Sequence, residues 1–171
     1  MSAMPVSLIA ALALTSAGVA SETVTKPEVI TFGSSVADMQ DRLASLCTTI
    51  TVRTFDPPRM PIAKTSHQQI DCQGFAFMGE LRLAEFVFAD DQLQLVWILV
   101  DADDQDRTID AMRKAYGSQG LENSMAIAFP EYRTAWRFEP AEVLFYSQDV
   151  APMFEARFGE PATQPSGRSK D

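Results

Sequence analysis

A chain of 171 residues, 46% hydrophobic and 22% charged, has the size and composition of one globular domain or two small, intimately packed halves. Its formal net charge of −9, with no cluster of Lys or Arg to reverse the sign locally, argues against binding a nucleic-acid backbone. A single His and two Cys cannot supply a zinc set, and no cofactor motif is present, so neither a metal nor a cofactor is expected.

Residues 1–20 read as a secretion signal. VSLIAALAL, from Val6 to Leu14, is an apolar run too short for the roughly 20 residues that span a bilayer. Gly18-Val19-Ala20 offers small side chains for cleavage after Ala20. No Lys or Arg precedes the apolar run, and no cysteine follows it, so the signal is not that of a lipoprotein. The expected location is therefore periplasmic or secreted, with no membrane span after cleavage. In that oxidising compartment Cys47 and Cys72 are expected to pair, closing a loop of about 25 residues worth roughly 3–4 kcal/mol in the chain-entropy model.

The polar stretch 21–29 reads as a flexible lead, and a single domain is expected over 30–159. Ser35 is the expected N-cap of a first helix, with Asp38 three residues later. Val36, Met39, Leu43 and Leu46 recur at helical spacing and form its apolar stripe. The helix should end near Cys47. TTITVRTF, at 48–55, reads as a strand, stopped by three prolines in a surface loop over 56–66.

Strand formers then dominate 68–100, interrupted at Met78-Gly79-Glu80 and at Asp90-Asp91-Gln92. The pattern is that of three antiparallel strands, at 68–77, 81–89 and 93–100, joined by hairpins. The third is apolar on both parities, as expected of a strand covered above and below. Phase changes near Gly74 in the first, which suggests a bulge.

A second helix is expected over 101–116, with Ile109, Met112 and Tyr116 buried. Its acids (Asp103, Asp104, Asp106) come first, its bases (Arg113, Lys114) come last, and Gly117 caps it, in accord with the helix dipole. Those acids match no EF-hand loop, which needs Gly and Glu where Asp106 and Met112 stand. Gly117-Ser118-Gln119-Gly120 follows a helix instead of opening one, so it reads as a turn and not as a phosphate cradle. Alternation resumes over 125–129, 132–138 and 143–146, and a short helix is expected over 150–158. EPATQPSGRSKD has the composition of a disordered tail over 160–171. The fold class is α+β, an antiparallel sheet with helices packed on it, and it can be read as two helix-plus-meander units in tandem.

Phe32-Gly33-Ser34-Ser35, with Met39 and Leu43 in the helix that follows, is joined later by Phe88-Ala89-Asp90-Asp91, Leu93 and Val96. Together with the helix-ending Tyr116-Gly117, this pattern resembles small exported helix-plus-sheet modules. Among them are the BamE type of outer-membrane assembly lipoprotein and the β-lactamase inhibitor proteins. The resemblance implies a helix-on-sheet fold whose surface binds another protein. The lipid-bearing cysteine of the BamE type is missing here.

Chemistry is sparse. His67 lacks a placed nucleophile and reads as a surface imidazole. Glu85 stands mid-strand between Leu83 and Val87, on a parity otherwise apolar, and a buried carboxylate needs a partner or a raised pKa. Arg133 and Arg137 are the expected partners, in a buried ion pair or at a pocket. The expected function is a non-enzymatic binding or protein-interaction module with an envelope protein as partner. The alternative is a small enzyme or ligand-binding domain built on Glu85 and an arginine.

Overall fold

The computed structural model describes residues 24–158. The expected signal segment 1–20 and tail 160–171 lie outside the described residues. Eight antiparallel strands form one sheet: β1 (Thr49–Thr54), β2 (His67–Phe77), β3 (Glu80–Ala89), β4 (Gln92–Leu99), β5 (Leu121–Glu122), β6 (Ala126–Phe129), β7 (Thr134–Arg137) and β8 (Glu142–Tyr146). Their spatial order is β1-β2-β3-β4-β8-β7-β6-β5. Each run of four strands follows a helix, α1 (Val36–Leu43) or α2 (Gln105–Tyr116). The last strands of the two runs pair at the centre, Leu95 opposite Tyr146 through Leu99 opposite Glu142. The fold is α+β, and its strand order is that of two helix-plus-meander units meeting at a common seam.

Both faces of the sheet are apolar. On one, α1 and α2 lay Val36, Met39 and Leu43, and Ile109, Met112 and Tyr116, into the main core with Phe86, Val96, Ile98, Trp136 and Phe145. On the other, a third helix, α3 (Ala151–Phe158), joins Val87, Leu95, Leu144 and Tyr146 in a second core. β4 lies between the two cores, which explains its apolar residues on both parities.

Helix starts and turns follow the local signals. Ser35 Oγ accepts from the Asp38 amide at 3.1 Å, and Asp91 Oδ1 accepts from the Val36 amide at 2.9 Å. Both satisfy donors that have no partner within the helix. Gly117 caps α2 in the left-handed conformation, φ 62°. Asp90 and Asp91, with φ 50° and 61°, supply the left-handed pair that a tight hairpin between β3 and β4 requires. Asp90 also accepts from the amides of Lys64, Thr65 and Ser66 and from the Thr65 hydroxyl. These bonds hold its carboxyl well below the usual carboxylate range.

Several expectations change. Leu46 lies beyond the end of α1 in a turn and is 43% exposed, so it is no part of the buried stripe. The lead is anchored at Val24, which is buried and whose carbonyl accepts from Tyr116 Oη at 3.1 Å. The proline loop is not merely a surface excursion, because Met60 is buried and Ile62 and Ala63 pack on the second core. His67 is buried instead of exposed, with Nδ1 accepting from the Arg59 amide at 3.1 Å and its ring 4.5 Å from that of Phe55. Burial and the nearby Arg59 both push its pKa down. Register also slips between β3 and β4, where Phe88 faces Leu93 but Val87 faces Leu95. The extra residue, Gln94, is buried, and its carbonyl accepts from the Ser147 amide at 2.9 Å. That slip sends Leu93 to the main core, against a strict alternation.

The acids before α2 do more than suit the dipole. Arg82, its side chain 3% exposed, meets Asp104 at 2.6 Å, and its Nε donates to the Phe77 carbonyl at 3.3 Å. One buried guanidinium thus joins the β2–β3 hairpin to the start of α2. Cys47 and Cys72 are disulfide-bonded, with a Cα–Cα separation of 5.3 Å, tying the turn after α1 to β2.

The bulge in β2 lies where the phase change puts it, between Cys72 and Phe75. Gly74 there has φ 76°, and a Cβ on it would stand 2.7 Å from Thr48 Cγ2. Strain and crowding act together, so Gly74→Ala should lower unfolding free energy by about 1–3 kcal/mol. A urea melt checks this; an unchanged midpoint would show that the bulge relaxes freely.

Candidate functional site

Two alanines on the second face, Ala126 of β6 and Ala135 of β7, set the shape of the site. Methyl side chains leave room where larger neighbours, Leu144 and Tyr146, fill it. α3 crosses above them with Ala151, Phe154 and Phe158 buried, at the i, i+3, i+7 spacing of one helix face. Its far end is tied down by Asn123, whose Nδ2 donates to the Arg157 carbonyl at 3.3 Å. The same side chain accepts from the amides of Met125 and Ala126, at 2.9 and 3.0 Å. Between helix and sheet lies a cleft of about 540 Å³, lined by Trp97, Met125, Arg137, Phe154 and Arg157 among others.

Trp97 forms part of its wall. The indole meets Phe154 edge-on, 6.3 Å between centroids, and the Arg137 guanidinium lies 4.3 Å from the indole centroid. That cation–π contact fixes two side chains that a bare sheet face would leave free. Arg137 Nη2 is ion-paired with Glu142, directly opposite it in the β7–β8 register. The Glu142 side chain is only 2% exposed. Burial pushes its pKa up to about 7, opposed by Arg137 and reinforced by the charge of Glu85.

Glu85 itself meets Arg53 at 3.4 Å, and Arg53 also holds Asp71 at 2.6 Å. The guanidinium thereby bridges two carboxylates that stand directly opposite each other in the β2–β3 register. The arginine that pairs with Glu85 comes from edge strand β1, and Arg133 and Arg137 are engaged elsewhere. Arg133 precedes β7 in the left-handed region, φ 50°, exposed, with Nη1 3.4 Å from Gln148 Oε1. Arg137 is the one expected partner that reaches the cleft. Glu142 and Arg157 were not singled out from the sequence. Glu142 carried the same signal as Glu85, a carboxylate on the parity of Leu144 and Tyr146, hidden by its place next to a turn. Among the described residues there is no cluster of three or more potential metal-binding side chains. Nor is any helix there long and apolar enough to cross a membrane.

The raised pKa of Glu142 has a definite consequence for stability. Its ordinary value is 4.5. Between about pH 4.5 and 7 the unfolded chain has released a proton that the folded chain keeps. This group's contribution to stability therefore falls as pH rises through that window and is level above it. The loss should be on the order of 2 kcal/mol after allowance for solvent screening. Glu142→Gln should flatten the decline in unfolding free energy from pH 5 to pH 8, measured by urea melts. A variant with the wild-type slope would remove Glu142 as its source.

Comparison with protein-family models, with curated proteins and with solved structures finds no match, which leaves the resemblance to small exported modules at the level of a helix-on-sheet style.

Proposed function

We propose that the protein is an exported, non-enzymatic binding module whose binding face is the cleft side of the sheet. The observation that carries the reading is the cleft itself. It combines apolar walls with an indole held between Phe154 and Arg137 and a guanidinium at either side, Arg137 from the sheet and Arg157 from the helix. Recognition sites have this make-up, mostly apolar with a few fixed polar groups. The disulfide suits an oxidising compartment, and the apolar run at 6–14 suits a signal for reaching it.

The alternative reading, chemistry at Glu85, gains less support. Its carboxylate is taken up by Arg53, and Glu85 is not among the residues that line the cleft. His67, the chain's one imidazole, has Nδ1 engaged by a backbone amide.

Export and binding face are tested separately. Mass spectrometry of the mature protein should show loss of residues 1–20 and a mass two hydrogens below that of the reduced chain. An intact N-terminus or two alkylatable thiols would remove the export reading. For the face, a photo-reactive amino acid at Met125, on the cleft, should yield a discrete adduct in cells. The same group at Leu121, on edge strand β5, should not. Adducts from position 121 alone would move the binding face away from the cleft.

A further inference from the structure

We infer that the cleft beneath α3 takes a small amphipathic monocarboxylate, its apolar chain against Trp97 and Phe154 and its carboxylate at the arginine-bearing mouth. The inference rests on the reading that this side of the sheet is a binding face. Three observations lead to it.

The first is size and lining. A volume of about 540 Å³ lies within the roughly 300–1,000 Å³ range of small-molecule sites, and most of the walls are Trp, Met, Phe, Ala and Leu side chains. The space arises where Ala126 and Ala135 lie beneath a helix whose far end is held by Asn123. The second is charge. Two arginines border the cleft; Glu142 is ion-paired with Arg137, and Glu139, the carboxylate on the lining, is exposed. Arg157 is exposed on the last turn of α3 and makes no ion pair among the described residues; its Nη2 lies 3.6 Å from Met125 Sδ. The third is unused donor capacity. Glu142 takes only Nη2 of Arg137, whose Nε is buried, so the donors open to a guest are the remaining Nη groups of Arg137 and those of Arg157. An arginine fork with donors to spare beside an apolar wall recognises a carboxylate attached to a hydrocarbon.

Decanoate, decanol and decyltrimethylammonium, each below its micellar concentration, separate the contributions. Binding is followed at pH 8 by calorimetry and by tryptophan fluorescence on the full chain. Decanoate should bind and change the emission, octanoate should bind about tenfold more weakly for its two missing methylenes, and the ammonium should not compete. Arg157→Gln, an exposed position that leaves the fold intact, should weaken decanoate at least tenfold while leaving decanol unchanged. Trp97→Phe should abolish the emission change, since the other indole, Trp136, is fully buried in the main core. Ala135→Phe, which fills the space, should remove binding.

Equal affinity for decanoate and decanol, or no effect of Arg157→Gln, would overturn the carboxylate class and leave the binding face standing. No binding of any of the three probes would also overturn it. If an adduct nevertheless forms at Met125, the face survives; if none forms there either, both readings fall together.

Discussion

The pairing of β4 with β8 is the constraint on which the rest of the molecule depends. Five residue pairs join two four-stranded meanders into one sheet. Without that seam each meander would end in an open edge. With it, β4 is covered on both faces, and two apolar cores form back to back. The seam also assembles the site. It sets Trp97 opposite Leu144, and two register positions further it sets Leu99 opposite Glu142, itself opposite Arg137 on β7. The wall of the cleft comes from one unit, and its floor and helix come from the other.

Charge is used sparingly and at joints. Arg82, buried, fastens the β2–β3 hairpin to the start of α2. Asp90 gathers three amides and a hydroxyl from the proline loop, while its neighbour Asp91 caps α1. Two adjacent residues in one tight turn thus position a loop on one side of the sheet and a helix on the other. The one buried charge among them, Arg82, is tolerated because it meets Asp104, Asp101 and the Phe77 carbonyl. Glu142 is the exception. Its single arginine does not offset the loss of water, so its proton is held to near neutrality.

Much of the architecture was legible because it rests on local chemistry. The N-cap Ser35, the hairpins at Gly79 and at Asp90-Asp91, the Gly74 bulge and the Gly117 cap are each dictated by what one or two residues can do with the backbone. The disulfide was expected from the count of two cysteines. What escaped were contacts set by the sheet as a whole. Two-residue β5 is too short to show a period. Gln94 reads as an ordinary polar position until Ser147, far along the chain, supplies its partner. Glu85 was expected to meet Arg133 or Arg137, but strand order decides which arginine it meets, and strand order puts Arg53 of β1 within reach by way of β2. The cleft was invisible for a related reason. Alanines in a strand announce nothing until a helix is known to pass over them.

The disulfide lies wholly within the first of the two units, and the chain has no third cysteine with which to staple the second. The half that carries the alanine floor and α3 is therefore held without a covalent link, by packing, by the ladders of β5 to β8 and by side-chain hydrogen bonds such as those of Asn123. Regions of low local stability open more readily than the molecule as a whole. A molecule clamped covalently at one end and only by non-covalent contacts at the other can open locally at the second end while the first keeps its shape.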